Sequence, residues 1–121
     1  MISRFTDATA EEINKVMDRS WQAFHVYRKF PLKKRADFMS AIAREMEASA
    51  DELVHKAMSE TNLPEPRLRN EFNRTLFQLR SYGAACEAGD WLEARIDTAI
   101  PDRNPPRPDI RKMLVPLGPV V

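Results

Sequence analysis

The tail of the chain, from Trp91 to Val121, most restricts the possible fold, because its apolar residues follow a different period from those before it. Two strand-like runs, Leu92–Ala99 and Ile110–Val115, are separated by Pro105-Pro106-Arg107-Pro108. The first run alternates apolar and charged residues, as a half-exposed strand does. The prolines predict a stiff, extended link. Because two strands alone are marginal in water, we expect the tail to pair with a further strand.

The chain ends in an uncharged segment, in which Pro116-Leu117-Gly118-Pro119 precedes Val120-Val121. A β-branched run after Gly-Pro predicts the entry to a buried strand. Terminal residues of domains are more often polar and loosely held. We therefore expect the residues that carry the chemistry to lie beyond Val121.

Before the tail, apolar residues recur at helical spacing, and local signals mark where each helix begins. Thr9-Ala10-Glu11-Glu12 predicts a capping box and a first helix over about Ala10–Tyr27. Phe30-Pro31 ends that helix and begins a second, since proline suits a first turn. The predicted inward residues of the first helix are Ile13, Val16, Met17, Trp21 and Phe24; those of the second are Leu32, Ala36, Met39, Ala43 and Met46, widened by Phe38 and Ile42.

Two further helices are predicted before the tail. Ser49-Ala50-Asp51-Glu52 resembles a second capping box, and the short helix after it ends at Thr61, where Asn62 suits a left-handed residue. Glu65-Pro66 begins a fourth helix that runs to about Ala88. The predicted inward residues are Leu53, Val54, Ala57 and Met58 in the third helix, and Leu68, Phe72, Leu76, Leu79, Gly83 and Cys86 in the fourth, with Phe77 and Tyr82 beside them.

The predicted fold class is therefore mainly α, with four amphipathic helices and a C-terminal two-strand β arm. Short connections favour antiparallel helices that share a core. At 121 residues the chain is long enough for one domain. Its formal net charge of +1 indicates no strong field for nucleic acid or membranes. One cysteine, Cys86, makes no internal disulfide, so a cytoplasmic location is expected.

The sequence offers few residues for chemistry. Glu52 and His55 have a Glu-x-x-His spacing, but di-iron bundles need two such motifs and the other histidine, His25, follows Gln22. Cys86 lies on the apolar side of a predicted helix, where a small buried hydrophobe is the simpler interpretation. We therefore predict no catalytic, cofactor-binding or metal-binding residue in this chain.

A basic run between Arg28 and Arg35 is the one candidate for a nucleic-acid patch. It contains no interleaved aromatic platform for stacking bases and no glycine loop. A solvated helix face explains the run better. Salt-dependent retention on DNA would revive the nucleic-acid interpretation.

Three stretches of the chain, taken in order, resemble the N-terminal region of the NAD(P)-dependent aldehyde dehydrogenases, most closely the branch that oxidises 2-oxoglutarate semialdehyde. The resemblance covers nearly the whole chain from Phe5. It departs at Asn62, where the family usually has glycine, and this change keeps the turn. The stretches are Arg35-Ala36-Asp37-Phe38 with Ile42-Ala43; Ser59 to Pro64 with Arg67-Leu68, Glu71, Arg74-Thr75 and Gln78-Leu79-Arg80; and Ala94 to Asp97 with Pro101-Asp102-Arg103, Arg107 to Arg111 and Pro116 to Val120.

The resemblance implies a fragment of the α/β aldehyde dehydrogenase fold. Residues 1–90 would form a helical layer on an absent cofactor domain, residues 91–116 an oligomerisation arm, and residues 117–121 the start of the first cofactor-domain strand. The family's catalytic cysteine, glutamate base and oxyanion asparagine would follow later, so Cys86 is not the nucleophile. NAD or NADP would serve the parent enzyme, a homo-oligomer, while this chain alone would be inactive. The alternative is a stand-alone helical module that binds a protein partner through its tail strands.

Overall fold

A computed structural model describes residues 6–120; the parts of the predicted segments 1–90 and 117–121 at residues 1–5 and 121 lie outside the described residues. Four α-helices precede a two-stranded sheet within residues 6–120, which confirms the predicted fold class. The chain divides into two compact units, one containing the first helix and the segment from Val115, the other spanning Pro31–Leu114. None of the described helices is long and apolar enough to cross a membrane.

Helix α1 spans Ala10–Tyr27, as predicted, and begins with the predicted capping box. The Thr9 hydroxyl oxygen accepts a hydrogen bond from the Glu12 backbone N–H at 3.2 Å, and the Glu12 carboxylate accepts one from the Thr9 N–H at 2.8 Å. The backbone N–H of Thr9, and then its hydroxyl, hold the pKa of Glu12 below its usual value. No residue of α1 is buried. The predicted inward positions of this helix are therefore wrong within the described residues, and Ile13, Val16, Met17 and Trp21 are all exposed.

The second unit is built on helices α2 (Leu32–Ala48), α3 (Ala50–Thr61) and α4 (Glu65–Ala88), whose bounds agree with the predicted helices. Both α2 and α3 pack on α4. The buried apolar side chains are small except for one leucine, and this lets the helix backbones approach closely. They are Ala36, Ala43, Val54 and Leu76.

Gly83 is buried where α4 meets α2. A Cβ atom at this position would lie 3.5 Å from the Ala36 carbonyl oxygen and 3.8 Å from the Met39 Cβ atom. The predicted close approach of a neighbouring backbone is therefore present. The distances are ordinary van der Waals contacts, so an alanine would also fit.

The predicted second capping box is wrong, although α3 begins where it was expected. Ser49 also ends α2, and its backbone lies at φ −108° and ψ 19°, with no side-chain cap hydrogen bond. Thr9, by contrast, is extended, at φ −73° and ψ 158°. A capping side chain needs an extended backbone at its own residue to reach the next turn. The direct junction of α2 and α3 denies Ser49 that conformation.

Several apolar side chains of this unit lie at its surface, among them three on α3 and α4. Leu53, predicted to face inward, is 41% exposed, because α3 presents Val54 rather than Leu53 to the core. Phe77 and Tyr82, beside the apolar stripe of α4, are 70% and 66% exposed. The apolar surface of α3 and α4 is therefore wider than the face they bury.

Left-handed residues end the last two helices, as local sequence predicts. Asn62 has φ 56° after α3, and Gly89 has φ 78° after α4. A single 3₁₀ turn, Asp90–Leu92, follows, and Glu93 is also left-handed, with φ 48°. The prediction that the first strand begins at Leu92 is therefore wrong, because this turn and Glu93 interrupt the extended backbone.

The β arm is an antiparallel pair of short strands, β1 (Arg95–Asp97) and β2 (Ile110–Lys112), with Ile96 opposite Arg111. Both strands are shorter than predicted, and all their residues are exposed, so the half-exposed pattern expected for the first strand is wrong. The two strands pair with each other. The residues between them form no ladder beyond one isolated bridge.

The link between the strands folds back and is not the extended spacer predicted from its prolines. The backbones of Ile100 and Arg107 exchange hydrogen bonds of 2.9 and 3.1 Å. The Arg107 guanidinium donates to the Thr98 carbonyl oxygen at 3.2 Å through Nε and 2.9 Å through Nη2. The Asn104-Pro105 peptide bond is cis. These contacts connect residues seven and nine positions apart, and local proline preferences do not predict them.

Candidate functional site

The Glu-x-x-His pair lies on α3 with both side chains, Glu52 and His55, exposed. A protein metal site takes three or four ligands from converging side chains. Within residues 6–120, no three side chains of histidine, cysteine, aspartate or glutamate are grouped to hold a metal ion. The second histidine, His25, lies on α1 and contacts the Trp21 ring edge-on, with 4.7 Å between the ring centroids.

Cys86 lies near the end of α4 and is half-buried. Its Sγ atom lies 3.9 Å from the Leu32 carbonyl oxygen, to which the thiol donates a weak hydrogen bond. The Trp91 indole N–H donates to the Cys86 carbonyl oxygen at 3.4 Å. Reactive cysteines lie in electropositive, accessible surroundings that stabilise a thiolate. These contacts of Cys86 are those of a packed thiol beside a helix terminus.

The basic run between Arg28 and Arg35 contains charges with local partners. The Arg28 guanidinium lies over the Phe24 ring, 5.2 Å from its centroid. The Lys33 ammonium pairs with the Asp37 carboxylate at 3.0 Å, and this hydrogen bond raises the pKa of Lys33. A pair at this spacing is typical of a solvated helix face, the interpretation favoured from the sequence.

An apolar groove opens on the surface of α2 and α3, with a cavity volume of about 430 Å³. The sequence places Phe38 and Ile42 beside the stripe of α2 but does not bring them together with Leu53. A signal for this groove was present in the sequence. The apolar face of α2 is wider than the strip formed by Ala36 and Ala43, which α4 covers. We define the α2–α3 groove by its lining residues, Phe38, Ala41, Ile42, Glu45, Met46, Ser49 and Leu53.

The segment Pro116-Leu117-Gly118-Pro119 lies in the first unit, against α1. Gly118 has φ +128°, and a Cβ atom there would lie 3.1 Å from Cζ3 of Trp21. Leu117 and Val120 on either side are 92% and 85% exposed. The glycine therefore lets the backbone approach an aromatic ring, a contact that no local sequence pattern predicts.

The three glycines of the chain do not form a phosphate-binding loop. Gly83 lies inside α4, Gly89 ends that helix and Gly118 contacts Trp21. A dinucleotide cradle needs glycines grouped at the N-terminus of a helix, where backbone N–H groups point to the phosphates. These glycines do not fit a nicotinamide cofactor.

Comparison with known proteins gives one family. Residues 1–121 match the aldehyde dehydrogenase family. The alpha-ketoglutaric semialdehyde dehydrogenase of Acinetobacter baylyi is 39% identical over 117 residues, which cover 96% of this chain and 22% of that protein. The alpha-ketoglutaric semialdehyde dehydrogenase 2 of Azospirillum brasilense is 42% identical over 118 residues, which cover 97% of this chain and 22% of that protein. The chain thus spans less than a quarter of each curated relative's length.

Proposed function

Because the chain belongs to the aldehyde dehydrogenase family, we propose that it is the N-terminal part of an enzyme that oxidises a semialdehyde, 2-oxoglutarate semialdehyde, to the carboxylic acid with NAD or NADP. The observation that carries this proposal is identity of 39% and 42%, over almost the whole chain, to two proteins named as dehydrogenases of that semialdehyde. The resemblance of the tail residues to the same branch supports it.

Within that enzyme, we assign residues 1–90 to a helical layer on the cofactor domain, residues 91–116 to an oligomerisation arm and residues 117–121 to the first cofactor-domain strand. The α2–α4 core supports the first assignment, because it gives these helices an interior of their own. The exposed strands β1 and β2 support the second, since each has only one neighbour in the described sheet. A second copy of the arm would supply the missing strand of a larger sheet.

The chemistry proposed for the whole enzyme is attack of a cysteine thiolate on the aldehyde, hydride transfer to the nicotinamide and hydrolysis of the thioester. We assign the nucleophile, the base and the cofactor site to the part of the enzyme outside these 121 residues. The packed environment of Cys86 and the separate roles of the glycines support this assignment.

The first test is an assay of the purified 121-residue chain with 2-oxoglutarate semialdehyde and either NAD or NADP. We expect no aldehyde-dependent reduction of either cofactor. The full-length Azospirillum brasilense relative, assayed in parallel, shows that the reagents are active. Turnover by the isolated chain would contradict the assignment of the reacting groups to another part of the enzyme.

The second test is a chimaera in which this chain replaces the matching segment of the Azospirillum brasilense relative. We expect the chimaera to oxidise the semialdehyde at a rate comparable to that of the unmodified relative. A folded but inactive chimaera would contradict the proposed function.

Two variants of this chimaera separate packing from surface effects. Ala43 is fully buried, and Ala43→Asp places an unpaired carboxylate in the α2–α4 core. We expect that variant to lose both its folded structure and its activity. Ala84 is exposed on α4, and Ala84→Asp is expected to leave activity unchanged.

A further inference from the structure

The outer edge of β1 has a self-complementary sequence. In the described sheet β1 pairs only with β2, and its three residues, Arg95, Ile96 and Asp97, are all exposed. An apolar residue thus lies between a cation and a carboxylate. Successive side chains of a strand point to opposite faces of its sheet. Arg95 and Asp97 therefore share one face, and Ile96, which is 65% exposed, lies on the other.

The pairing of β1 with β2 leaves the charges of β1 without partners. Arg95 lies directly opposite Lys112, and like charges at such positions oppose strand pairing. Asp97 lies opposite Ile110, which is apolar. Within residues 6–120, none of Arg95, Asp97 and Lys112 makes an ion pair. A carboxylate on the free side of Arg95 would offset the repulsion from Lys112.

We propose that β1 pairs with β1 of a second copy of this chain, antiparallel about a two-fold axis at Ile96. In this register Arg95 of each copy lies opposite Asp97 of the other, and the two Ile96 side chains lie opposite each other. A two-fold axis forms both charge pairs at once, because the same surface is used twice. An axis at either neighbouring residue would set two arginines or two aspartates opposite each other.

This inference rests on the proposed function, which assigns β1 to an oligomerisation arm, and deepens it by naming the edge, the partner strand and the register. The resulting sheet has four strands, with the two copies of β1 at its centre. Three or more strands are needed for independent stability in water, where a two-stranded sheet is marginal. In strand addition, main-chain hydrogen bonds supply affinity and side chains supply specificity. Here Arg95 and Asp97 would specify the register.

The outer edge of β2 does not offer the same match. Its residues are Ile110, Arg111 and Lys112, so antiparallel pairing of two β2 strands about Arg111 would set two guanidinium groups opposite each other. Arg111 also has a local partner, because its Nε atom donates to the Asp109 carboxylate at 3.0 Å. Charge complementarity therefore favours β1 over β2 as the edge that pairs with a second copy.

The first test uses the full-length chimaera with one cysteine added at the centre of β1. In Ile96→Cys, mild oxidation is expected to give a covalent dimer, with the disulfide mapped by peptide mass spectrometry to position 96 of both chains. Residues directly opposite in neighbouring strands lie within disulfide distance. In the matched control, Arg111→Cys at the centre of β2, we expect no disulfide between the two positions 111. The proposal is overturned if position 96 forms no such disulfide, or if position 111 forms one as readily.

Charge reversal tests the register. In the Ile96→Cys background, Arg95→Asp sets carboxylates opposite each other in both charge pairs, and Asp97→Arg sets guanidinium groups opposite each other. We expect each change alone to lower the yield of the disulfide severalfold. Co-expression of the two variants is expected to restore it between unlike chains, because every carboxylate then faces a guanidinium group. An unchanged yield in the single variants, or no recovery on co-expression, would exclude this register.

The strand pairing and the proposed function can fail separately. Activity of the unmodified chimaera is measured first. A folded but inactive chimaera that forms the disulfide between the two positions 96 contradicts the proposed function and supports the pairing of β1. An active chimaera that forms no such disulfide supports the proposed function and overturns the pairing.

Discussion

At the scale of single residues, backbone conformation decides which side chain caps a helix. Thr9 is extended and caps α1, whereas Ser49 is near-helical and makes no cap hydrogen bond. We expect Thr9→Ala to destabilise the first turn of α1 by about 1 kcal/mol, and Ser49→Ala to change stability by less than about 0.5 kcal/mol. Amide hydrogen exchange at Ile13 and Leu53 measures the two effects. Equal acceleration at both sites would show that the two caps are equivalent.

The Glu12 carboxylate also makes the start of α1 sensitive to pH. Hydrogen bonds from Thr9 lower the pKa of Glu12 in the folded chain, so the folded state binds this proton less readily than the unfolded state. Its contribution to stability is present above the unfolded-state pKa of about 4.3 and is lost as pH falls through the lower folded-state value.

Glu12→Gln should remove this pH dependence. A titration of α1 helicity by NMR chemical shifts between neutral and acidic pH is the measurement, and Glu11→Gln is the neighbouring control. A response to acid that is the same in both variants would argue against the capping carboxylate as its cause.

We expect opposite responses to the same substitution at Gly83, inside α4, and at Gly89, which follows its last residue. At Gly83 a Cβ atom meets only ordinary contacts, so Gly83→Ala should stabilise the second unit by up to about 1 kcal/mol through helix propensity. At Gly89, with φ +78°, a Cβ atom would lie 3.0 Å from Cδ1 of Leu32, so Gly89→Ala should destabilise it by about 1–2 kcal/mol. Urea unfolding followed by circular dichroism compares the two. Destabilisation by Gly83→Ala would mean that the α2–α4 approach is closer than described.

At the scale of elements, Leu76 is the largest buried apolar side chain where α2 and α3 pack on α4. Leu76 is 5% exposed in this core, whereas its neighbour Phe77 is 70% exposed. We expect Leu76→Ala to lower the free energy of unfolding by about 2–5 kcal/mol and Phe77→Ala to change it by less than about 0.5 kcal/mol. Chemical unfolding of both variants is the measurement. A large loss of unfolding free energy in Phe77→Ala would show that the Phe77 ring makes a stabilising contact.

Ion pairs between helices contribute less to the same unit. Arg80 on α4 pairs with Glu47 on α2, and Arg69 on α4 pairs with Asp51 on α3 and with Glu65 on its own helix. These carboxylates raise the pKa of Arg69, most strongly through the hydrogen bond that Arg69 donates to Asp51. Because the pairs are exposed, each is worth little in water. These ion pairs align the helices, while the buried apolar residues of α2, α3 and α4 stabilise the helix packing.

At the scale of the whole molecule, burial is confined to one region. The buried apolar residues of residues 6–120 all belong to α2, α3 and α4, whereas α1, β1 and β2 contain none. We therefore expect amides in α2 and α4 to be the most protected from hydrogen exchange in the isolated chain, and those in α1 and the β arm to exchange fastest. Exchange mass spectrometry tests this order. Equal protection across all elements would contradict it.

Helix positions were predictable because their signals are local. Thr9, Pro31, Asn62 and Gly89 act on the backbone within one turn of their own position, and apolar spacing supplied the inward faces. Predictions failed where a residue belongs to two elements or contacts a residue distant in the sequence. Ser49 belongs to two helices at once, and sequence spacing alone does not reveal that.

The α2–α3 groove was predictable only in part. The excess apolar width of α2 was visible at Phe38 and Ile42, but the turn between α2 and α3 sets Leu53 beside them. The link in the β arm is a second case, because Arg107 reaches the Thr98 carbonyl oxygen nine positions away. Proline preferences describe the backbone at each residue and carry no information on such a contact.

By itself, the sequence determined the four helices, their ends, the presence of a two-strand arm and the family, since caps, periodicity and residue identity act locally or are directly compared. The tertiary structure alone decided which apolar residues are covered. Leu53 and Val54 are adjacent and equally apolar, yet one is 41% exposed and the other 2%. The reason is physical: a helix propensity is a property of its own segment, whereas burial depends on the surface that another segment presents.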